Sequence, residues 1–379
     1  MSRSATLGVT FIGGGTGGHI YPSLAVAEAL ASIEPSTIAV FLTGDRDADA
    51  QALEDQRLFD SPAHRVALGA RPPSRKPRAM LACVRSWGKA VRDSREALRE
   101  LKSSCDRVVA MSTGGYVSAP AAQAARVERV PLVLVGLDAR LGKANRFVAR
   151  RAAERLVAQD EAPNGWHAIG PIVGQRAKAP ADAARCRQQL GLDPDLPTLL
   201  VMGGSQGARS INQFLAAIAE HESSVLRGWQ VIHLAGDAKA AASSAAALDR
   251  AGIPNSVLER MSPIGPAWGA ASAALCRAGA GTVAEAHANA VPALYLPYPY
   301  HADQHQGANA QPIVDAGGGV LVRDRIDPRK NLEAILPELV ALLRSTDKRQ
   351  AMAAALQKLP RKDGAQACAN TLIERATSM

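Results

Sequence analysis

Long hydrophobic runs are missing from this 379-residue chain. No stretch approaches the roughly 18–20 consecutive apolar residues that a helix needs to span a bilayer, so any membrane contact is expected to be peripheral. The opening MSRSATLGVTFIGGG reaches its glycines too early for a signal peptide. It reads as a first core strand, and the expected compartment is the cytoplasm. Cysteine is scarce and scattered: Cys83, Cys105, Cys186, Cys276 and Cys368, with no C-x-x-C pair. That excludes a disulfide frame or a structural zinc site and suggests buried thiols in a reducing compartment. Aromatic residues make up 4% of the chain, too few for base-stacking platforms, and no nucleic-acid-binding motif occurs, so nucleic acid is not an expected partner.

What the chain does contain is small aliphatic residues, glycine and positive charge. Hydrophobic residues account for 47% and charged ones for 21%, enough for two domains of about 150–200 residues. The formal charge of +9 favours an anionic partner, whether lipid surface or phosphorylated substrate. Short β-branched runs alternate with Ala-rich helical stretches, the grammar of an α/β fold with parallel sheets. Expected strands are Leu7–Ile12, Thr37–Thr43, Arg107–Met111, Leu132–Val135, Thr198–Met202, Gln230–Ala235, Ala273–Arg277 and Ala293–Pro297, with helices over Tyr21–Ile33, Ser210–Glu220 and Ala238–Leu248. Proline and glycine crowd together between Pro163 and Pro180, which marks a linker. The expected domains are 1–165 and 166–348, with 349–379 a C-terminal helical segment returning to the first.

Four glycine turns follow strands and open helices: Gly13–His19, Thr113–Pro120, Gly203–Arg209 and Arg277–Glu285. Glycine there admits positive φ and bare-backbone approach, and the helix start offers unpaired N–H groups to an anion. Gly13, Gly15 and Gly18 satisfy G-x-G-x-x-G, and Asp45 or Asp47 could complete a dinucleotide fingerprint. His19 beside those glycines, at the mouth of a cleft, is a candidate general base, or else it caps the turn. Glu285, three residues after Thr282, could close a capping box or accept two ribose hydroxyls. His301, Asp303 and His305 are spaced like metal ligands, but the row of polar donors through Gln306 suits sugar hydroxyls better. No metal or cofactor is expected. Between Arg71 and Lys102, ten basic residues interleave with Met80, Leu81, Val84, Trp87 and Val91. A basic amphipathic helix of this kind reads as a surface for anionic lipid or as a core-packed helix with a solvated back.

GGGTGGHIYPSLAVAEAL, TGGYVSAPAAQAA, VMGGSQGARSINQ and CRAGAGTVAEAHANAVPALYLPYPYHADQHQGANA, in that order, resemble the MurG family. The likeness runs from Gly13 to about Gly318. It implies a GT-B fold: two Rossmann-like domains with parallel sheets facing a central cleft. It also implies an inverting transferase that moves N-acetylglucosamine from UDP-N-acetylglucosamine to an undecaprenyl-pyrophosphoryl-linked muramoyl-pentapeptide acceptor at a membrane surface. By position, the resemblance puts Thr16, Gly17, Gly18 and His19 on the acceptor side, with His19 the catalytic base. Gly114, Gly115, Tyr116 and Asp138 join them there. Ser205, Gln206, Ala280, Gly281, Thr282, Glu285, His305 and Gln306 would hold the donor, Glu285 its ribose. Two stretches depart from the family: its His-Glu-Gln-Asn is here Val135-Gly136-Leu137-Asp138, and its Gly-Asn-Pro-Val-Arg is Gly170-Pro171-Ile172-Val173-Gly174.

Overall fold

In a computed structural model of the chain, residues 6–14, 17–53, 58–59, 64–71, 77–300 and 305–377 are described. They form two compact units, one comprising residues 1–174 and 362–379 and the other residues 175–361.

The first unit is built on a seven-stranded sheet of β1 (Leu7–Gly13), β2 (Ile38–Thr43), β3 (His64–Ala67), β4 (Arg107–Gly114), β5 (Leu132–Gly136), β6 (Glu154–Val157) and β7 (His167–Ala168). Every pairing is parallel and the spatial order is β3-β2-β1-β4-β5-β6-β7. Its helices are α1 (Gly17–Ile33), α2 (Asp47–Gln51), α3 (Pro77–Ser104), α4 (Ser118–Val127) and α5 (Lys143–Ala149). β1 and β5 are buried along their whole lengths, which is why both read as continuous apolar runs rather than alternating ones. Phe11 and Phe41 stack at 4.8 Å on neighbouring strands.

The second unit repeats the plan with β8 (Thr198–Met202), β9 (Gln230–Leu234), β10 (Asn255–Leu258), β11 (Ala273–Cys276), β12 (Ala293–Tyr295) and β13 (Gly319–Leu321). These strands are again all parallel, in the order β10-β9-β8-β11-β12-β13. Around them lie α6 (Ala183–Gln189), α7 (Arg209–His221), α8 (Ala238–Arg250), α9 (Gly265–Ala270), α10 (Ala280–Ala288), α11 (His305–Asp315), α12 (Pro328–Arg344) and α13 (Thr346–Lys358). Met352 and Leu356 of α13 are buried in the cores of this unit. The last helix, α14 (Gly364–Thr377), packs on α1 and β4, with the Cys368 thiol 3.4 Å from the Met111 sulfur. Residues 166–174 therefore go with the first unit and 349–361 with the second.

Both sheets reverse their strand order once, between β1 and β4 and between β8 and β11. Ligands of open parallel sheets bind outside the carboxyl ends of the strands at such a reversal. The four glycine turns occupy those four strand ends.

Two expectations need correction. α1 begins at Gly17, four residues before the apolar pattern becomes helical, so His19 sits inside the first turn and is half-buried rather than exposed. Trp87 does not face outward from α3. Its indole N–H donates to Gln123 Oε1 at 2.9 Å and its ring meets Phe147 edge-on. The two halves of α3 differ in burial. Ala90, Ala97, Leu98 and Leu101 enter the core, while Met80, Leu81 and Val84 stand 42%, 51% and 62% exposed. Arg95, Arg99 and Lys102 all converge on Glu128 at the end of α4. Of the five cysteines, only Cys105 is partly exposed.

Candidate active site

In the first unit the switch point is organised around His19. Its Nδ1 lies 3.1 Å from Thr113 O. A carbonyl oxygen only accepts, so Nδ1 carries the proton and Nε2 keeps a free lone pair. The backbone carbonyl of His19 is itself held, accepting from Thr113 Oγ1 at 2.9 Å and Ser23 Oγ at 3.0 Å. Burial lowers the imidazole's proton affinity, against opposing pulls from Asp138, the Thr113 carbonyl and Asp49. A neutral, oriented imidazole results, the form a general base requires.

Gly114 (φ +114°) and Gly115 (φ +87°) wrap this ring. A Cβ on Gly114 would lie 2.7 Å from Asn145 Oδ1 and 3.1 Å from His19 Cε1, and one on Gly115 would press against Gly14 O at 2.5 Å. Tyr116 follows, half-buried; burial and the charge of Asp45 raise its phenol, with Arg46 opposing. Gly17 and Gly18 open α1. Thr16, Gly15 and the Asp47 side chain lie outside the described residues. Asp49, buried beside this site, carried no motif that would have revealed it; Asn145, also buried here, lies in Gly142-Lys143-Ala144-Asn145-Arg146, a stretch that resembles the family. At the two departures from the family the chain is closely packed. Leu137 is buried and Gly136 ends β5 against Leu141. Gly174 packs on α1, where a Cβ would come within 3.0 Å of Glu28 Oε2.

The second unit presents Ser205 and Gln206 on an exposed turn between β8 and α7. Gly207 (φ +69°) lets the turn run against the Ala235 carbonyl, where any side chain would collide. α7 and α10 start at Ala208 and Gly279 with no side-chain cap, and α4 in the first unit is likewise uncapped at Val117. By contrast α6, α8, α12 and α13 are capped by Asp182, Asp237, Asp327 and Ser345. α5 and α9 are likewise without a side-chain cap, so an open start does not by itself mark a site; at α4, α7 and α10 it coincides with a switch-point strand end, a place suited to anions.

Ala280, Gly281 and Thr282 form the first turn of α10, with open space around Gly281. Thr282 is already inside the helix, so Glu285 closes no capping box. Instead its Oε2 accepts the indole N–H of Trp268 at 2.9 Å. Burial raises the Glu285 carboxyl to about 7, against the lowering effect of that bond. Gln306 on α11 accepts from Tyr298 N at 2.8 Å through Oε1, which leaves its amide N–H groups for other acceptors; His305 begins the same helix. His301 to Gln304 lie outside the described residues.

Beneath these loops sits a network that the sequence did not reveal. Arg277 Nη1 pairs with Asp324 Oδ2 at 2.7 Å, and Arg277 Nη2 donates to Ser210 Oγ, which donates to Asp324 Oδ2 at 2.6 Å. Arg277 also donates to the carbonyls of Leu296 and Pro297. One buried guanidinium therefore ties together the end of β11, the start of α7 and the end of β12.

Residues 9–157 match the glycosyltransferase family 28 N-terminal domain and residues 198–368 its C-terminal domain. A Nocardioides UDP-N-acetylglucosamine--N-acetylmuramyl-(pentapeptide) pyrophosphoryl-undecaprenol N-acetylglucosamine transferase is 35% identical, covering 97% of each chain. This chain belongs to the MurG family. A Rhodococcus opacus protein of the same name is 38% identical over 84% of each chain. The crystal structure of Acinetobacter baumannii MurG superposes with a TM-score of 0.66 at 25% identity, covering 97% of this chain and 99% of that one. The MurG fold, GT-B, is shared more widely. A putative UDP-N-acetylglucosamine 2-epimerase from Listeria monocytogenes reaches a TM-score of 0.64 at 15% identity over 99% of this chain and 98% of that one, a likeness of fold alone.

Proposed function

We propose that this chain transfers N-acetylglucosamine from UDP-N-acetylglucosamine to the lipid-linked muramoyl-pentapeptide acceptor, converting lipid I to lipid II in peptidoglycan synthesis, with inversion at the anomeric carbon. The observation that carries this reading is the coincidence of four family motifs with the strand ends at both switch points. His19 Nε2 takes the proton of the acceptor hydroxyl as that oxygen bonds to the anomeric carbon. The bond from that carbon to the phosphate oxygen breaks, and UDP leaves with the electron pair. Gly114, Gly115 and Tyr116 bind the acceptor's diphosphate, and Thr16, Gly17, Gly18 and Asp138 complete that side. Ser205 and Gln206 meet the donor, with Ser205 at its phosphate. The open helix starts at Arg209 and Ala280 to Thr282 offset charge on the departing diphosphate, and a protein-bound metal is not required for that step. His305 and Gln306 read the sugar hydroxyls, and Glu285 accepts from the ribose.

Incubation with labelled UDP-N-acetylglucosamine and the lipid-linked acceptor, followed by product analysis, tests the reading. Label in a disaccharide lipid supports it. Free sugar or an altered nucleotide sugar, formed without acceptor, would establish an epimerase instead. Glu285→Ala is expected to weaken UDP binding by about 10-fold or more, the loss of hydrogen bonds to a charged acceptor, with acceptor binding unaffected. Calorimetry with UDP measures this, and unchanged affinity removes Glu285 from the ribose.

The acceptor's lipid requires enzyme and substrate to meet at a bilayer. Among the described residues no helix is long and apolar enough to cross one. Docking at the cytoplasmic face of the cell membrane falls to the first turns of α3, where Met80, Leu81 and Val84 lie beside exposed Arg78 and Arg85. Replacing the three apolar residues with aspartate is expected to lower affinity for phosphatidylglycerol vesicles about 10-fold or more, since each partly inserted side chain contributes roughly 1 kcal/mol. Co-sedimentation equal to wild type would move the docking surface elsewhere.

A further inference from the structure

Trp268, on the short helix α9, is 1% exposed and among the largest fully buried side chains of the chain. It belongs to the same buried core cluster as Cys276, Val283, Ala286 and Tyr295. Packing alone does not call for tryptophan at this position, because a phenylalanine would fill most of the same space. What tryptophan adds is an indole N–H, a group that only donates, and here it goes to Glu285 Oε2. A carboxylate accepts through two oxygens, so one is committed inward and the other remains available.

We propose that Trp268 is a positioning residue for the nucleotide donor: its indole N–H fixes one carboxylate oxygen of Glu285, leaving the other to accept from a vicinal diol of the ribose. This rests on the ribose reading of Glu285. A buried carboxylate with no fixed donor is free to rotate about its terminal torsion and to take up a proton, and either change removes the acceptor the diol needs. No charged group contributes to the shift of Glu285, which comes from burial and the indole bond. Of the titratable groups, Cys276 on β11 is coupled to it, and burial keeps that thiol protonated. The bond favours the ionised form, so removing it raises the carboxyl further above about 7 and leaves more of it protonated at neutral pH.

The test is Trp268→Phe, read by calorimetry with UDP and by steady-state kinetics. The expected result is UDP affinity lowered about 10-fold at pH 7, the scale of a hydrogen bond to a charged group, with donor KM raised, kcat retained and acceptor KM unchanged. Much of the loss should be recovered at pH 9, where Glu285 ionises again; a defect of packing would not recover. Wild-type affinity in the variant, or a loss that is the same at both pH values, overturns the proposal. So does an equal loss from Trp268→Phe in a Glu285→Ala background, because the effect then bypasses the carboxylate. If Glu285→Ala alone leaves UDP affinity intact, the ribose reading fails first and the proposal with it. Should the phenylalanine variant not fold, the wild-type protein supplies a second measurement. One indole N–H resonance should titrate near pH 7 and move on adding UDP, and should lose its titration in Glu285→Gln. Absence of any such resonance overturns the proposal equally.

Discussion

Replacing His19 with glutamine is expected to lower kcat by about 10²–10⁴-fold, the range a positioned general base contributes, while leaving UDP affinity at its wild-type value. The geometry makes this more specific than a statement that a histidine matters. Thr113 O fixes the tautomer, so the lone pair that can take a proton is on Nε2, and glutamine offers no basic nitrogen there. Burial sets the pH behaviour. Because it lowers the imidazole's proton affinity, the acid limb of the kcat profile should fall below the ordinary histidine value of about 6.5. Asp138 is the strongest opposing charge, so Asp138→Asn should move that limb to still lower pH. Single-turnover kinetics across pH 5–8 checks both statements, and a wild-type kcat in the glutamine variant would remove His19 from catalysis.

Asp324→Ala should destabilise the second unit by about 3–5 kcal/mol, the range seen when one partner of a buried ion pair is removed. Burial alone would raise the Asp324 carboxyl. Ser210, Asn331 and the amide of Ile326, with the charge of Arg277, outweigh that and hold it below its usual value. Without the carboxylate, Arg277 remains buried as a cation, its other contacts being neutral oxygens. The pair sits under the loops proposed to hold the donor, so the surviving folded protein should also bind UDP less well. Urea unfolding followed by far-UV circular dichroism measures the stability, and a change below about 1 kcal/mol would mean that water or loop movement relieves the charge.

How far these sites were legible depends on where their partners lie in the chain. Strands such as Leu7–Gly13 and Thr198–Met202 declared themselves because parallel sheets bury both faces and leave unbroken apolar runs. The glycine turns were legible because each follows such a run. The start of α1 was missed because Gly17 and Gly18 are poor helix formers, and there tertiary packing of His19 and Ser23 on Thr113 overrides propensity. The spacing of Trp87 fitted a lipid-facing stripe as well as a core-packed helix, and the bond from its indole to Gln123 on α4 was not visible in that spacing. Asp324 and Trp268 share that difficulty. Each matters through partners brought to it by the fold, and no local pattern encodes them.

The helices that begin at Ser118, Arg209 and Ala280 have no lid of their own, whereas those at Ala183, Ala238, Pro328 and Thr346 do. A helix without its own stopper is finished by whatever it binds. On the proposed function, nucleotide would complete the open helix starts of the second unit, and the saturated protein should melt at a higher temperature than the empty one.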